Sequence, residues 1–137
     1  MARLTITALL TVTAVPTLWQ LPSLSQATRY VSVGIDEFNK ATVYLDRQSI
    51  KKTGQTSYKY TIFSSNQPIT EKKERFEEDI VVNCNKMNSI VHLGSRLYDA
   101  TGRLVKTDPP PGTQDVSSSS GSTTYRNANR IVCKRGR

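Results

Sequence analysis

The chain has 137 residues, of which 19 are lysine or arginine and 11 are aspartate or glutamate, and its net charge is +8. This length provides for one domain and excludes a multidomain protein. One histidine and two cysteines do not supply the ligands of a zinc site. The basic surplus favours an anionic partner, such as lipid headgroups, acidic polysaccharide, acidic protein or nucleic acid, although solubility alone would also explain it.

The first 27 residues have the pattern of an export signal. Met1 to Arg3 is a short positive start, Leu4 to Trp19 is mostly apolar, and Ser25 to Ala27 has small residues where a signal peptidase reads them. A membrane anchor is the alternative, but the apolar stretch is shorter than the about 20 residues that span a bilayer. We therefore predict a cleavable signal peptide over residues 1–27. The mature chain, residues 28–137, is then secreted or periplasmic and has no transmembrane segment.

Three strands are predicted in the first half of the mature chain. Val31, Val33 and Ile35 alternate with smaller or polar residues, which predicts a strand over 30–35. After a polar turn at 36–40, β-branched and aromatic residues over 41–46 predict the second strand of a hairpin. The segment 57–64 alternates again, with Tyr58 and Tyr60 on the face that we expect to be buried.

The charged segment that follows, 71–79, allows two interpretations. Glu71 and Arg75 have the i,i+4 spacing of a helix, whereas Phe76 shares the alternation of Ile80 and Val82. We favour a strand over about 75–85.

A further strand is predicted over 89–98, and a short extended piece over 103–106. In the strand, Val91, Leu93 and Leu97 define the face expected to be buried. His92 is then expected on the opposite side, facing solvent or the far side of the sheet.

The C-terminal part divides into a loop and a helix. Residues 108–122 contain three prolines, two glycines and five serines, a composition that predicts a flexible loop. The segment 123–134 has Tyr125, Ala128 and Val132 at i, i+3 and i+7, which predicts a helix packed on the sheet.

The two cysteines are predicted to form a disulfide. Cys84 shares the parity of Ile80 and Val82, and Cys133 lies beside the apolar stripe of the helix, so both point into one interface. An exported protein meets an oxidising compartment, which favours a bond over two free buried thiols. No C-x-x-C motif indicates a redox role.

Arg126, Arg130 and Lys134 stand at i, i+4 and i+8 and form one stripe of the predicted helix. We interpret this stripe as a candidate binding surface for an anionic or protein partner, and the alternative is an ordinary solvated face. The mature chain has a net charge of +7, because Arg3 is the only charge in the predicted signal.

Catalysis has little support in the sequence. A small ribonuclease-like hydrolase could use His92, and an enzyme inhibitor of this size is another alternative. Neither has a supporting motif, and no metal-binding or cofactor-binding pattern occurs.

The arrangement resembles the bacterial surface-adhesin protein E family. The resemblance rests on the opening strand from Arg29 to Val33 and on Val43-Tyr44-Leu45-Asp46 followed by Ser49-Ile50, which is similar to that family's Tyr-x-Asp…Ser-Ile signature. It continues with Cys84 at a strand end, Leu97-Tyr98-Asp99, and a last helix that closes with Val132-Cys133. Adhesins of the family are lipid-anchored, whereas no cysteine lies near the predicted cut here.

The resemblance implies one antiparallel sheet with a C-terminal helix held to one face by a disulfide, and a binding module without catalysis. Our prediction is therefore an α+β fold of five to six strands over 28–137. We expect an exported monomer of the cell envelope that binds an unidentified protein or anionic partner, without a cofactor and without specific nucleic-acid binding.

Overall fold

The computed structural model describes residues 29–67, 73–109, 112–116 and 122–135. The predicted signal peptide, residues 1–27, lies outside this part. Within it the chain forms seven strands and then a helix: β1 Tyr30–Ile35, β2 Thr42–Lys52, β3 Ser57–Ser65, β4 Arg75–Asn83, β5 Ser89–Tyr98, β6 Leu104–Asp108, β7 Gly112–Asp115 and α1 Ser122–Arg135.

All described strands belong to one antiparallel sheet in the order β1-β2-β3-β4-β5-β6. Strands β6 and β7 share the outer edge of β5, where β6 pairs with Ser95–Tyr98 and β7 with Ser89–His92. The predicted α+β fold with one C-terminal helix is confirmed, and the sheet has one strand more than the upper number we expected.

Helix α1 packs on one face of this sheet, as the apolar stripe predicted. Ala128 and Val132 are fully buried, and Tyr125 packs against the same core. A fully buried valine or leucine contributes about 1.5–3 kcal/mol, so this contact is what holds a short helix in place. The sheet side of the core consists of Leu45, Tyr60, Ile62, Ile80, Val82 and Ile90.

The start of the helix lies directly against β1. A Cβ atom on Gly34 would stand 2.5 Å from the Thr124 hydroxyl oxygen, so only glycine permits this approach. The Asn127 side chain donates a hydrogen bond of 2.9 Å to the carbonyl of Val33. The helix N-terminus is therefore fixed to the end of the sheet where β1 turns into β2.

The prediction for the buried face of β5 was wrong. Val91, Leu93 and Leu97 are 36%, 42% and 41% exposed, while His92 is only 5% exposed. The β4–β5 register shifts between His92 and Gly94, whose φ of 131° favours glycine. This bulge reverses the alternation in mid-strand, so one parity cannot describe the whole of β5.

The favoured strand over about 75–85 is confirmed as β4, so the helical alternative does not apply to residues 75–79. Two other expectations need correction. Strand β2 continues through Arg47–Lys52, which we had left outside the strand. The predicted 108–122 loop is not entirely a loop, because Gly112–Asp115 form β7. These four residues pair with β5, and the next residue, Val116, is fully buried in the core.

Candidate functional site

The predicted disulfide joins Cys84, directly after β4, to Cys133 in the last turn of α1. The two Cα atoms are 5.5 Å apart, an ordinary separation for a bridged pair. The bond ties the C-terminal end of the helix to the sheet, while Gly34 and Asn127 fix its beginning. The helix surface therefore has a defined position relative to the sheet.

The basic helix face, Arg126, Arg130 and Lys134, lies along the outer side of this helix. Arg130 and Lys134 are exposed, and Arg126 is half-buried. The structure thus brings the three predicted residues to one surface, with the two C-terminal ones most accessible.

A second group of basic residues adjoins the end of the helix. Arg135 donates a hydrogen bond of 3.0 Å to the carbonyl of Arg47, and both residues line a depression with Lys52. No acidic residue is among the described residues that line it. Sequence reasoning missed this group because Arg47 and Arg135 are far apart in the chain and Lys52 looked like a loop residue.

His92 lies in a buried polar cluster between the sheet and α1. Its Nε2 is 2.7 Å from Oε1 of Gln114 on β7, and its Nδ1 is 3.6 Å from Oε1 of Glu78. The Tyr125 hydroxyl donates a hydrogen bond of 3.0 Å to Glu78 Oε2. These contacts occupy the histidine, so it is not the solvent-facing group that a His92-dependent hydrolase would need.

Next to this cluster a cavity of about 290 Å³ opens at the N-terminal end of the helix. We call it the acidic cleft, because the described residues that line it include three carboxylates and no lysine, arginine or histidine. The carboxylates are Asp36, Glu37 and Glu78, and large apolar side chains at its mouth are Ile35, Phe38 and Phe76. One weak signal for it is present in the sequence, the isolated Phe38 in a polar turn.

The opposite face of the sheet carries paired charges. Arg96 donates hydrogen bonds of 3.0 Å to both carboxylate oxygens of Asp79, and Lys59 lies 3.2 Å from the same group. Burial opposes ionisation of Asp79, but the hydrogen bonds from Arg96, Thr61 and Lys59 outweigh it and lower its pKa. Because these charges satisfy one another, we assign this face a structural role.

The comparison with protein families decides the identity. The model of the surface-adhesin protein E family matches residues 30–134, which include the whole sheet, the helix and both cysteines. The chain belongs to the surface-adhesin protein E family. Neither the curated proteins nor the solved structures gave a significant match.

Membership of the surface-adhesin E family supports an adhesin-like role without catalysis, and the hydrolase and inhibitor alternatives gain no support. Among the described residues, no three side chains of histidine, cysteine, aspartate or glutamate are placed so that they could together hold a metal ion. The helix in that part is too short and too polar to cross a bilayer. An adhesin family and an intramolecular disulfide both agree with a surface or secreted protein.

The signature residues of this surface-adhesin E domain stabilise its fold. Asp46 Oδ1 accepts a hydrogen bond of 3.0 Å from the Gln48 amide, and the Ser49 hydroxyl donates to the Asp46 carbonyl at 2.6 Å. The same hydroxyl accepts a 2.7 Å hydrogen bond from Thr61 on β3. These hydrogen bonds stabilise the irregular part of β2, where the pairing with β3 shifts register between Asp46 and Lys51. Ile50 of the signature packs on the core.

The buried acid of the cleft also affects stability. Burial raises the pKa of Glu78, while the Tyr125 hydrogen bond and His92 partly oppose this rise and Asp36 adds to it. A carboxyl with a raised pKa in the folded state contributes stability when it is protonated. That contribution is lost as the pH rises from its unfolded pKa through its folded pKa.

We therefore expect Glu78→Gln to raise the free energy of unfolding at pH 8, by about 1 kcal/mol or less. Glutamine keeps an acceptor for Tyr125 but carries no charge to desolvate. The gain should vanish toward pH 4, where Glu78 is itself protonated. Urea unfolding followed by circular dichroism at both pH values measures it, with exposed Glu74→Gln as the control. A larger gain at pH 4 than at pH 8 would contradict this account.

Proposed function

We propose that this protein is an exported, non-catalytic binding module of the cell envelope whose basic helix face binds an anionic partner. Export would remove residues 1–27 and leave residues 28–137 as the secreted or periplasmic form. The export pattern of the N-terminus, the disulfide and the family support this placement.

The accessibility of Arg130 and Lys134 on a fixed helix is the observation that carries the proposal. Like charges at i,i+4 destabilise a helix by a few tenths of a kcal/mol per pair, so the stripe does not serve helix stability. The helix dipole stabilises basic residues in the last turn of a helix, and of the three residues in the stripe Lys134 lies there. A binding role explains the exposed pair Arg130 and Lys134 better than helix stability does.

Neighbouring residues extend this positive surface. Arg135, Arg47 and Lys52 continue it around the end of the helix. A cluster of one sign attracts oppositely charged partners and speeds their association, and salt weakens the attraction. Strong dependence on ionic strength is therefore part of the proposal.

The test is charge reversal at the two exposed positions. We expect the double variant Arg130→Glu/Lys134→Glu to bind envelope fractions of the producing cell about tenfold more weakly than the wild-type mature protein. The measurement is retention of the labelled protein on washed envelope fractions at physiological and at high salt. High salt should weaken the wild type more than the variant.

A variant with the same net charge provides the control. Lys73→Glu/Lys106→Glu changes two exposed lysines, one before β4 and one on β6, away from the helix, and it should bind like the wild type. If both double variants lose affinity equally, only net charge matters and the assignment of the surface is wrong. If neither loses affinity, the basic helix face is not the binding surface.

A further inference from the structure

The acidic cleft combines two features that an ordinary solvated surface does not bring together. Phe38 is 92% exposed and Ile35 61% exposed, and Phe76 adds a third apolar side chain at the mouth. An apolar patch that is rimmed by polar groups marks an interaction site more often than scattered apolar residues do. The cleft lies at the opposite end of α1 from the exposed pair Arg130 and Lys134, whereas Arg126 directly follows the lining residue Tyr125. Variants at Arg130 and Lys134 therefore test the basic helix face without touching the cleft.

The turn that presents Phe38 is held by hydrogen bonds. The Phe38 amide donates to Asp36 Oδ1 at 2.9 Å, and the Lys40 amide donates to the Asp36 carbonyl at 2.9 Å. The Ala41 amide donates to Asn39 Oδ1 at 2.9 Å. The exposed Phe38 ring therefore lies on a turn that is already ordered. Binding of a partner there costs little entropy, because the turn does not have to be ordered on binding.

The charge of the cleft specifies the partner. Asp36 and Glu37 form no ion pair within the part of the chain that the structure describes, and Glu78 lies deeper beside them. The chain as a whole has 11 acidic residues against 19 basic ones. Three of those 11 line one cavity, and no basic residue is among the described residues that line it, although Lys40 follows in the same turn. A cationic partner would therefore meet carboxylates at this rim.

We infer that the acidic cleft binds a segment of a partner polypeptide in which a large apolar side chain is flanked by lysine or arginine. The apolar side chain packs against Phe38 and Phe76 and enters the cavity. The flanking cations face Asp36 and Glu37 at its rim. Apolar anchors in a pocket supply most of the energy of such contacts, and the charges supply specificity.

Two other occupants fit the observations less well. An anionic membrane surface would bring negative headgroups against three carboxylates, which is unfavourable. A second copy of this chain would need about 800 Å² of surface on each partner for a stable interface. A cavity of about 290 Å³ accommodates one or two side chains and does not by itself provide such a surface.

The probe is the synthetic peptide Lys-Phe-Lys-Leu-Lys-Phe-Lys, and its affinity for the full mature protein is measured by fluorescence polarisation. We expect it to bind, and to shift the backbone amide resonances of 35–38 and of Tyr125 in NMR spectra. Phe38→Ser and Glu37→Lys should each weaken binding about tenfold or more. Both positions are exposed, so these variants should fold normally.

Matched controls use the same chemistry elsewhere. Val105→Ser removes an apolar side chain that is 57% exposed on β6, and Asp108→Lys reverses an acidic side chain on the same strand that is 45% exposed; both should bind like the wild type. Arg130→Glu/Lys134→Glu should also leave peptide binding unchanged, which separates this inference from the proposed function. Peptides with glutamate for lysine, or with serine for the apolar residues, should bind at least about tenfold more weakly.

Several outcomes would overturn the inference. They are absence of peptide binding, equal binding of either control peptide, amide shifts that map elsewhere, or no effect of Phe38→Ser. Self-association of the wild type that Phe38→Ser abolishes would assign the cleft to a second copy. Binding to phosphatidylglycerol vesicles that depends on Phe38 would assign it to a membrane surface.

Discussion

Replacing both cysteines with alanine should lower the free energy of unfolding by about 4 kcal/mol. Cys84 and Cys133 are 49 positions apart, and a cross-link that closes a loop of this length restricts the unfolded chain by about that amount in the chain-entropy model. Small domains have a total stability of about 5–15 kcal/mol, so this loss is a large fraction of it. Urea unfolding at neutral pH measures the change.

Reduction of the wild-type protein provides the matched control. Dithiothreitol should destabilise the wild type by a similar amount and leave the alanine variant unchanged, because the variant has no bond to reduce. Unfolding curves of wild type and variant that coincide without reductant would mean that the bridge contributes little. The fold would then depend on the packing of α1 alone.

Replacing Asn129 with leucine should cost about 2–4 kcal/mol of stability, although leucine is apolar and of similar size. Asn129 is fully buried in α1, where its Oδ1 accepts a 2.6 Å hydrogen bond from the Tyr60 hydroxyl. Its Nδ2 donates a 2.7 Å hydrogen bond to the carbonyl of Met87. The substitution leaves the buried Tyr60 hydroxyl without its partner, which costs about 1–3 kcal/mol. It also removes the hydrogen bond to the turn at Met87, which is 38% exposed, and a bond of this kind contributes about 1 kcal/mol.

A double-variant cycle isolates the hydrogen bond between the two buried side chains. Burial raises the pKa of Tyr60, so the phenol stays protonated and donates at all ordinary pH values. Tyr60→Phe alone should destabilise the protein, because it leaves Asn129 Oδ1 without its donor. Combining it with Asn129→Leu should cost less than the sum of the single changes, since the hydroxyl that lacks a partner is gone. Additive losses in urea unfolding would show that the two side chains act independently.

Much of the fold could be predicted because the local pattern and the tertiary structure agree. Strand β1 and helix α1 follow simple alternation and helical spacing, and the core buries Val33, Ala128 and Val132 from these patterns. Ile35 of the same alternation is exposed at the acidic cleft. The disulfide could be predicted because strand alternation places Cys84 on the buried face of its strand, and helical spacing places Cys133 beside the buried stripe of the helix. These inferences need only the nearest neighbours of each residue.

The errors came from backbone irregularities and from pairing between distant segments. His92 was placed on the wrong side because Val91 was taken for a core residue, whereas Ile90 and His92 pair with the buried Val82 and Ile80. The bulge at Gly94 then reverses the alternation for the rest of β5. Strand β7 lies in a proline- and serine-rich segment whose composition indicated a loop. Its four residues, Gly112–Asp115, are extended because they pair with Ser89–His92. Tertiary pairing overrides local propensity in short strands.

The two candidate binding surfaces also differ in whether a local sequence pattern could reveal them. The basic helix face lies on one helix, so helical spacing was sufficient to find it. The acidic cleft combines the β1–β2 turn, β4 and the first turn of α1, and residues such as Glu37 and Tyr125 are far apart in the chain. No local pattern reports that they meet. Their proximity follows from the position of the helix on the sheet, which the Gly34 contact and the disulfide fix.

The bond between Cys84 and Cys133 also makes everything between them a closed covalent ring. The ring contains β5, β6, β7 and most of α1. A protease that cuts this ring once cannot release a fragment, because both ends of the cut remain joined through the sulfur atoms. A member of a surface-adhesin family can thus be nicked outside the cell and still keep its helix, and with it both candidate binding surfaces.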